Sequence, residues 1–340
     1  MQRHSCGAAL LSLALLGTAV SAFSANAGAG ATAQPGVFAK VGDTVITQDD
    51  YSAAFAVASR GKFYHGKPPE NEIAALQREV GEQLVARVLL LREARQRGIK
   101  PDAGEIQNTL AGYEQRYANS EQWKKNRGKM IPQVTVRLEE ESLLGQLEKS
   151  VRNVPKPAIK DVKAYYEANP QKFTEPEQMR VSVILLKVDP SSPSAAWIKA
   201  EEESRDLVKK LRAGADFAAI AKARSGDGSA QQGGDMGYLH GGMLPDGTEA
   251  VLKALKNGEI SNPVQVLEGM AILKLTDRKP ARLNSFEAVQ NRAQDLLQRD
   301  RSDQAWSKLI ADLKKKTPAQ IDQSRYLPLA EQAGGRPATK

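Results

Sequence analysis

The chain has 340 residues, 41% of them hydrophobic and 26% charged, with 48 Lys and Arg against 40 Asp and Glu. That length predicts two domains. The net charge of +8 is modest, and its basic clusters (Lys124, Lys125, Arg127 and Lys129; Lys314 to Lys316) lack the interleaved aromatics on which bases stack, so they read as solvated helix faces and exclude nucleic acid as the expected partner.

Arg3 precedes an apolar run from Ala8 to Val20 that is too short to span a bilayer, and Ala25 and Ala27 suit a signal peptidase. Residues 1–27 are therefore expected to be a signal peptide and 28–36 a spacer. Cys6 would leave with the leader, and a mature chain with two histidines, His65 and His240, and no thiol offers no zinc site. No later run reaches eighteen apolar residues, so the mature protein is expected to have no integral membrane segment and to reside in the periplasm.

Residues 37–157 should form a helical segment. "VFAKVGDTVITQDDYSAAFA" alternates, turns at Gly42-Asp43, alternates again and opens a helix at Thr47. Ile73, Leu76, Val80, Leu84, Val88 and Leu91 recur at helical spacing until Gly98, and helical periodicity resumes over 103–117 and 134–151. Tyr117 and Trp123 suit either a binding rim or a helix contact. After Pro155 and Pro157, residues 158–177 read as a linker with a short helix.

From 178 to 280 the pattern changes. "MRVSVILLKV" is a buried strand, helices follow over 195–211 and 216–222, and "SAQQGGDMGYLHGGMLPDG" holds six glycines. A helix over 249–255 and the strand "MAILKLTDR" complete a compact α+β domain with an antiparallel or mixed sheet. Over 281–333, Ser285 caps an amphipathic helix carrying Phe286, Val289, Leu296, Leu297, Trp306, Leu309 and Leu313. One helix cannot bury that face alone, so it should return to the N-terminal helices and make the α+β domain an insertion in an all-helical one. The polar tail, 334–340, should be disordered.

"KLRAGADFAAIAKARSGDGSAQQGGDMGYLHGGMLP", followed by "LKALKNGEISNPVQVLEGMAILKLTDRK", resembles the parvulin-type peptidyl-prolyl isomerases over residues 178–280. The flanking helices are similar to the chaperone part of exported foldases of the SurA and PrsA type. The resemblance implies catalysed rotation about X-Pro bonds, whose barrier is about 20 kcal/mol, in unfolded or proline-containing polypeptide clients. Rotation makes and breaks no bond and needs no cofactor or metal, only an apolar pocket and a site favouring the twisted amide.

By that resemblance Asp235 is the catalytic acid, with Met243 and Leu239 lining the proline pocket. Both family histidines are replaced, by Val183 and Ala271, and Gly247 stands where a pocket phenylalanine is expected. Catalysis should therefore be weak. His240 reads as an exposed loop residue. The alternatives are a non-catalytic chaperone or docking factor for a secretion or envelope-polymer system and, more weakly, a hydrolase built on Asp235 and His240, which lacks a nucleophile or metal beside them.

Overall fold

A computed structural model describes residues 36–63, 68–244 and 247–329. The expected signal peptide, most of the spacer, His65 and the 334–340 tail lie outside the described residues. Two compact units are present, one formed by the chain up to Lys156 together with the chain from Gln298, the other by Pro157–Leu297.

In the first unit β1 (Val37–Val41) and β2 (Thr44–Thr47) make the expected hairpin. Thr47 then caps α1 (Gln48–Lys62), its hydroxyl accepting from the Asp50 amide at 3.1 Å while the Asp50 carboxylate accepts from the Thr47 amide at 3.0 Å. The Leu/Val stripe lies on α2 (Glu70–Gln96), where Leu76, Val80, Val88 and Leu91 are buried. Next come α3 (Ala103–Arg116) and α4 (Glu121–Arg152). The latter starts well before the expected Val134, because Ser120 caps it and the helix continues through Pro132. Trp123 is buried, 5.6 Å from the Tyr117 ring, and donates to Glu114 of α3, so it makes a helix contact.

The second unit opens with α5 (Ile159–Ala168) and β3 (Thr174–Glu175), followed by β4 (Gln178–Lys187), α6 (Ser194–Arg212) and α7 (Phe217–Arg224). Then come β5 (Asp235–His240), α8 (Thr248–Ala254), β6 (Val264–Val266), β7 (Gly269–Lys279), β8 (Arg282–Leu283) and the start of α9 (Phe286–Lys316). Its main sheet is antiparallel, in the order β5-β4-β7-β6. The central β4 is covered on both faces, hence its apolar run from Val183 to Leu186. Ile184 and Leu186 meet Leu207, Val208 and Leu211 of α6 and Phe217 of α7. On the other face Val181, Val183 and Leu185 meet Ala271 and Leu273 of β7 and Leu252 of α8.

Residues 158–177 are more than the linker expected of them. Val162 and Phe173 are buried with Val289, Ala293 and Leu297 of α9, and β3 pairs with β8. This apolar cluster draws the boundary of the second unit out to Pro157 and Leu297.

The chain then returns to the first unit, as the unpartnered face of α9 required. Trp306, Leu309 and Leu313 join Leu90 and Leu91 of α2 and Leu143 and Leu147 of α4. Beyond the helix, β9 (Ala319–Ile321) pairs antiparallel with β1 and completes a sheet ordered β2-β1-β9. The first unit is thus not all-helical. β1 would otherwise have an open edge, and the last described stretch of chain fills it.

Candidate functional site

The alternation of β4 sorts the expected site residues onto two faces. Val183 (6% exposed) and Ala271 (3% exposed) share the face covered by α8. Val183 pairs with Leu273 and Leu185 with Ala271, so 183 and 271 are diagonal neighbours on adjacent strands. Leu239 opposes Met179 of the same cluster and is buried. Met236 of β5, Leu244, Val251 and Leu255 around α8, and Val264 and Val266 of β6 surround the cluster, only partly buried. Met243 is 56% exposed in the short turn after β5, directly before Leu244. Together these residues make an apolar surface that retains access to solvent.

Asp235 does not join them. It opposes Ser182, on the face turned away from Val181 and Val183, and is bound there by Arg180. The Arg180 Nη2 donates to Asp235 at 2.6 Å and its Nε at 3.2 Å, while the Gly237 amide donates to the same carboxylate at 2.9 Å. The Arg180 hydrogen bond, then the Gly237 amide, hold the Asp235 carboxyl below its usual pKa. Tyr238, which donates to Asp277 and lies 3.7 Å beneath the Lys279 ammonium, extends this network.

A bulge explains the placement: three steps along β5, from Asp235 to Tyr238, match two along β4, from Ser182 to Arg180. Gly237 has φ +73° within it, and the Asp235 carboxylate fixes the turn. Next to it, a Cβ on Gly234 would come 2.4 Å from the Val183 carbonyl, which is one reason for the glycine density of this stretch. Gly247 has φ +81° and empty space where a side chain would stand, so no ring wall is supplied there. His240 is the last residue of β5 and half-buried, rather than in an exposed loop.

A PPIC-type PPIASE domain matches residues 157–293, and a SurA-like N-terminal domain matches residues 1–129. The chain carries a parvulin-type domain. The first match begins where the second compact unit begins. The foldase protein PrsA of Clostridium botulinum strain Loch Maree is 34% identical over 172 residues, 49% of this chain and 48% of the relative. The chaperone SurA of Pseudomonas fluorescens is 28% identical over 228 residues, 66% of this chain and 52% of the relative. The chain thus spans about half the length of the curated relatives it matches. A solved SurA-like chaperone of Campylobacter jejuni covers 82% of this chain and 97% of its own, with 20% identity and a TM-score of 0.37.

Within the parvulin-type domain, a second carboxylate escaped the sequence reading. Half-buried Asp227 lies where the chain leaves α7 beside the part of β4 that runs beyond its pairing with β5. The Gly226 amide donates to the Leu185 carbonyl at 2.8 Å, and the Leu185 amide donates to the Ser225 hydroxyl at 3.1 Å. This places Asp227 beside the strand that carries Val183 and Leu185, its carboxylate accepting from the Ser229 amide at 2.8 Å. The "SGDGS" stretch is rich in turn-forming residues, but nothing in it announces which strand it runs beside.

Proposed function

We propose that the protein is an exported foldase whose parvulin-type domain isomerises X-Pro bonds of unfolded polypeptides slowly. The observation that carries this reading is the apolar face around Val183 and Ala271, partly open at Met236, Leu244, Val264 and Val266. A proline ring buried there is desolvated, and loss of water around the amide favours the twisted form, in which nitrogen and carbonyl carry less separated charge. Replacing two histidines by Val and Ala leaves no unpaired imidazole in the buried face, so the fold is preserved while polar stabilisation is lost. In this reading the assisting acid is Asp227, beside the part of β4 beyond its pairing with β5, and Asp235 is a structural acid.

Export rests on Arg3, the short apolar run and the Ala25–Ala27 pattern, and no helix among the described residues is long and apolar enough to cross a membrane. Unfolded clients as partners rest on the likeness to proteins named foldase and chaperone. The Val183 and Ala271 replacements favour one alternative, a domain that binds proline segments without turnover.

Protease-free isomerisation of a proline tetrapeptide tests the proposal. Turnover should be slow, fall at least about tenfold in Asp227→Ala, equivalent to about 1.4 kcal/mol, and change less than about twofold in Asp235→Ala. The opposite order returns the acid role to Asp235. No turnover by the wild type, with retained peptide binding, establishes the non-catalytic alternative.

A further inference from the structure

The apolar face owes one wall to α8, which has only seven residues, too few to be stable alone. Its first residue, Thr248, is buried and follows Gly247, which offers no side-chain cap. Its other end is held by one side chain. Arg278 of β7 opposes Met179 on the α8-covered face, and its Nη2 donates to the carbonyls of Leu252 at 3.0 Å, Leu255 at 3.1 Å and Lys253 at 3.4 Å. Its Nη1 is fixed by the Glu177 carboxylate at 2.7 Å, and both side chains are largely shielded, at 25% and 30% exposure.

These carbonyls lie at the C-terminal end of the helix, where only that of Leu252 is given a backbone partner, the Leu255 amide at 3.2 Å, and a cation there also meets the negative end of the helix dipole. The planar guanidinium can reach several carbonyls and a carboxylate at once, whereas an ammonium cannot reproduce that fork. Val251, Leu252 and Leu255 lie in the clamped segment and pack around the Val183–Ala271 face.

We infer that Arg278, oriented by Glu177, is a positioning residue that sets the α8 wall against the sheet and so fixes the width of the proline pocket; this rests on the isomerase reading above. Its action is on binding. A displaced wall loosens contact with the proline ring in ground and transition states alike, which raises KM and leaves kcat nearly unchanged.

The test uses the full chain and its Arg278→Gln, Arg278→Lys and Glu177→Gln variants, with the proline tetrapeptide as probe. Each variant is first checked for an unchanged circular dichroism spectrum at the assay temperature. Arg278→Gln should raise KM about tenfold with kcat within about twofold, and Arg278→Lys should restore only part of the loss. Glu177→Gln should shift KM in the same direction by less, and it decides the matter if Arg278→Gln does not fold. Unchanged KM in folded variants overturns the clamp, as does a fall in kcat at constant KM. If the wild type itself shows no turnover, the isomerase reading fails separately. The clamp is then decided by the affinity of the same peptide measured by fluorescence anisotropy, with weaker binding in Arg278→Gln supporting it and equal binding removing it.

Discussion

At the scale of single residues, Asp235 shows how one bulge changes a role. Its neighbours in sequence, Met236 and Leu239, serve the apolar face, yet Asp235 is ion-paired on the opposite one. Because Arg180 and the Gly237 amide favour the carboxylate, its pKa is lower in the folded than in the unfolded chain. A depressed folded pKa means that the stabilisation is fully present above the unfolded value of about 3.9 and is lost as pH falls through the folded one. Both partners are partly exposed, so screening by solvent keeps the contribution small. Urea unfolding from neutral pH into acid should therefore be flatter for Asp235→Asn than for the wild type. Parallel curves would show that the pair contributes nothing. The same positions limit what spacing can reveal: Val183 and Ala271 could be recognised as replacements, but their diagonal contact needed the β4–β7 register.

At the scale of elements, the seam at β9 is the part least visible beforehand. Three residues pair with β1, and Tyr326 follows into a ring cluster, 5.9 Å from Phe38 and 6.1 Å from Tyr51. Its hydroxyl is buried with no hydrogen-bond partner among the described residues, and a Cβ on Gly81 would lie 2.0 Å from it. Arg78 holds the segment by donating to the Leu327 carbonyl at 2.9 Å, and the Leu327 amide donates to Gln77 at 2.7 Å. An unsatisfied hydroxyl costs stability, so Tyr326→Phe should be neutral or stabilising by up to about 1 kcal/mol, whereas Tyr326→Ala should lose about 3 kcal/mol through the cavity. Thermal unfolding of both variants is the measurement, and a destabilising Tyr326→Phe would reveal a partner for the hydroxyl. Short strands of this kind escape pattern reading, because "AQI" carries too little alternation to distinguish it from loop.

At the scale of the whole molecule, one unit is continuous in sequence and the other is assembled from both ends of the chain. Residues 157–297 should therefore fold when expressed alone. Residues 36–156 joined by a flexible linker to 298–329 should fold as a second stable unit, while the same chain ending at 317 should melt lower, because β1 then loses its β9 partner and Phe38 and Tyr51 lose Tyr326. Equal melting of the two joined chains would show that the returning strand is dispensable and that α9 alone completes the unit.

The sequence by itself determined the helical stripes, the capped starts at Thr47 and Ser285, the strand in "MRVSVILLKV", the insertion of an α+β unit and its parvulin character. Each of these rests on periodicity, capping or a local motif, which act over a few residues. Only the tertiary structure decided which face each strand residue serves, that 158–177 belongs to the second unit, that β9 closes the first, and that Arg278 reaches the end of α8. Those outcomes depend on register, bulges and contacts between residues distant in sequence, where a shift of one position turns a side chain to the other face of the sheet.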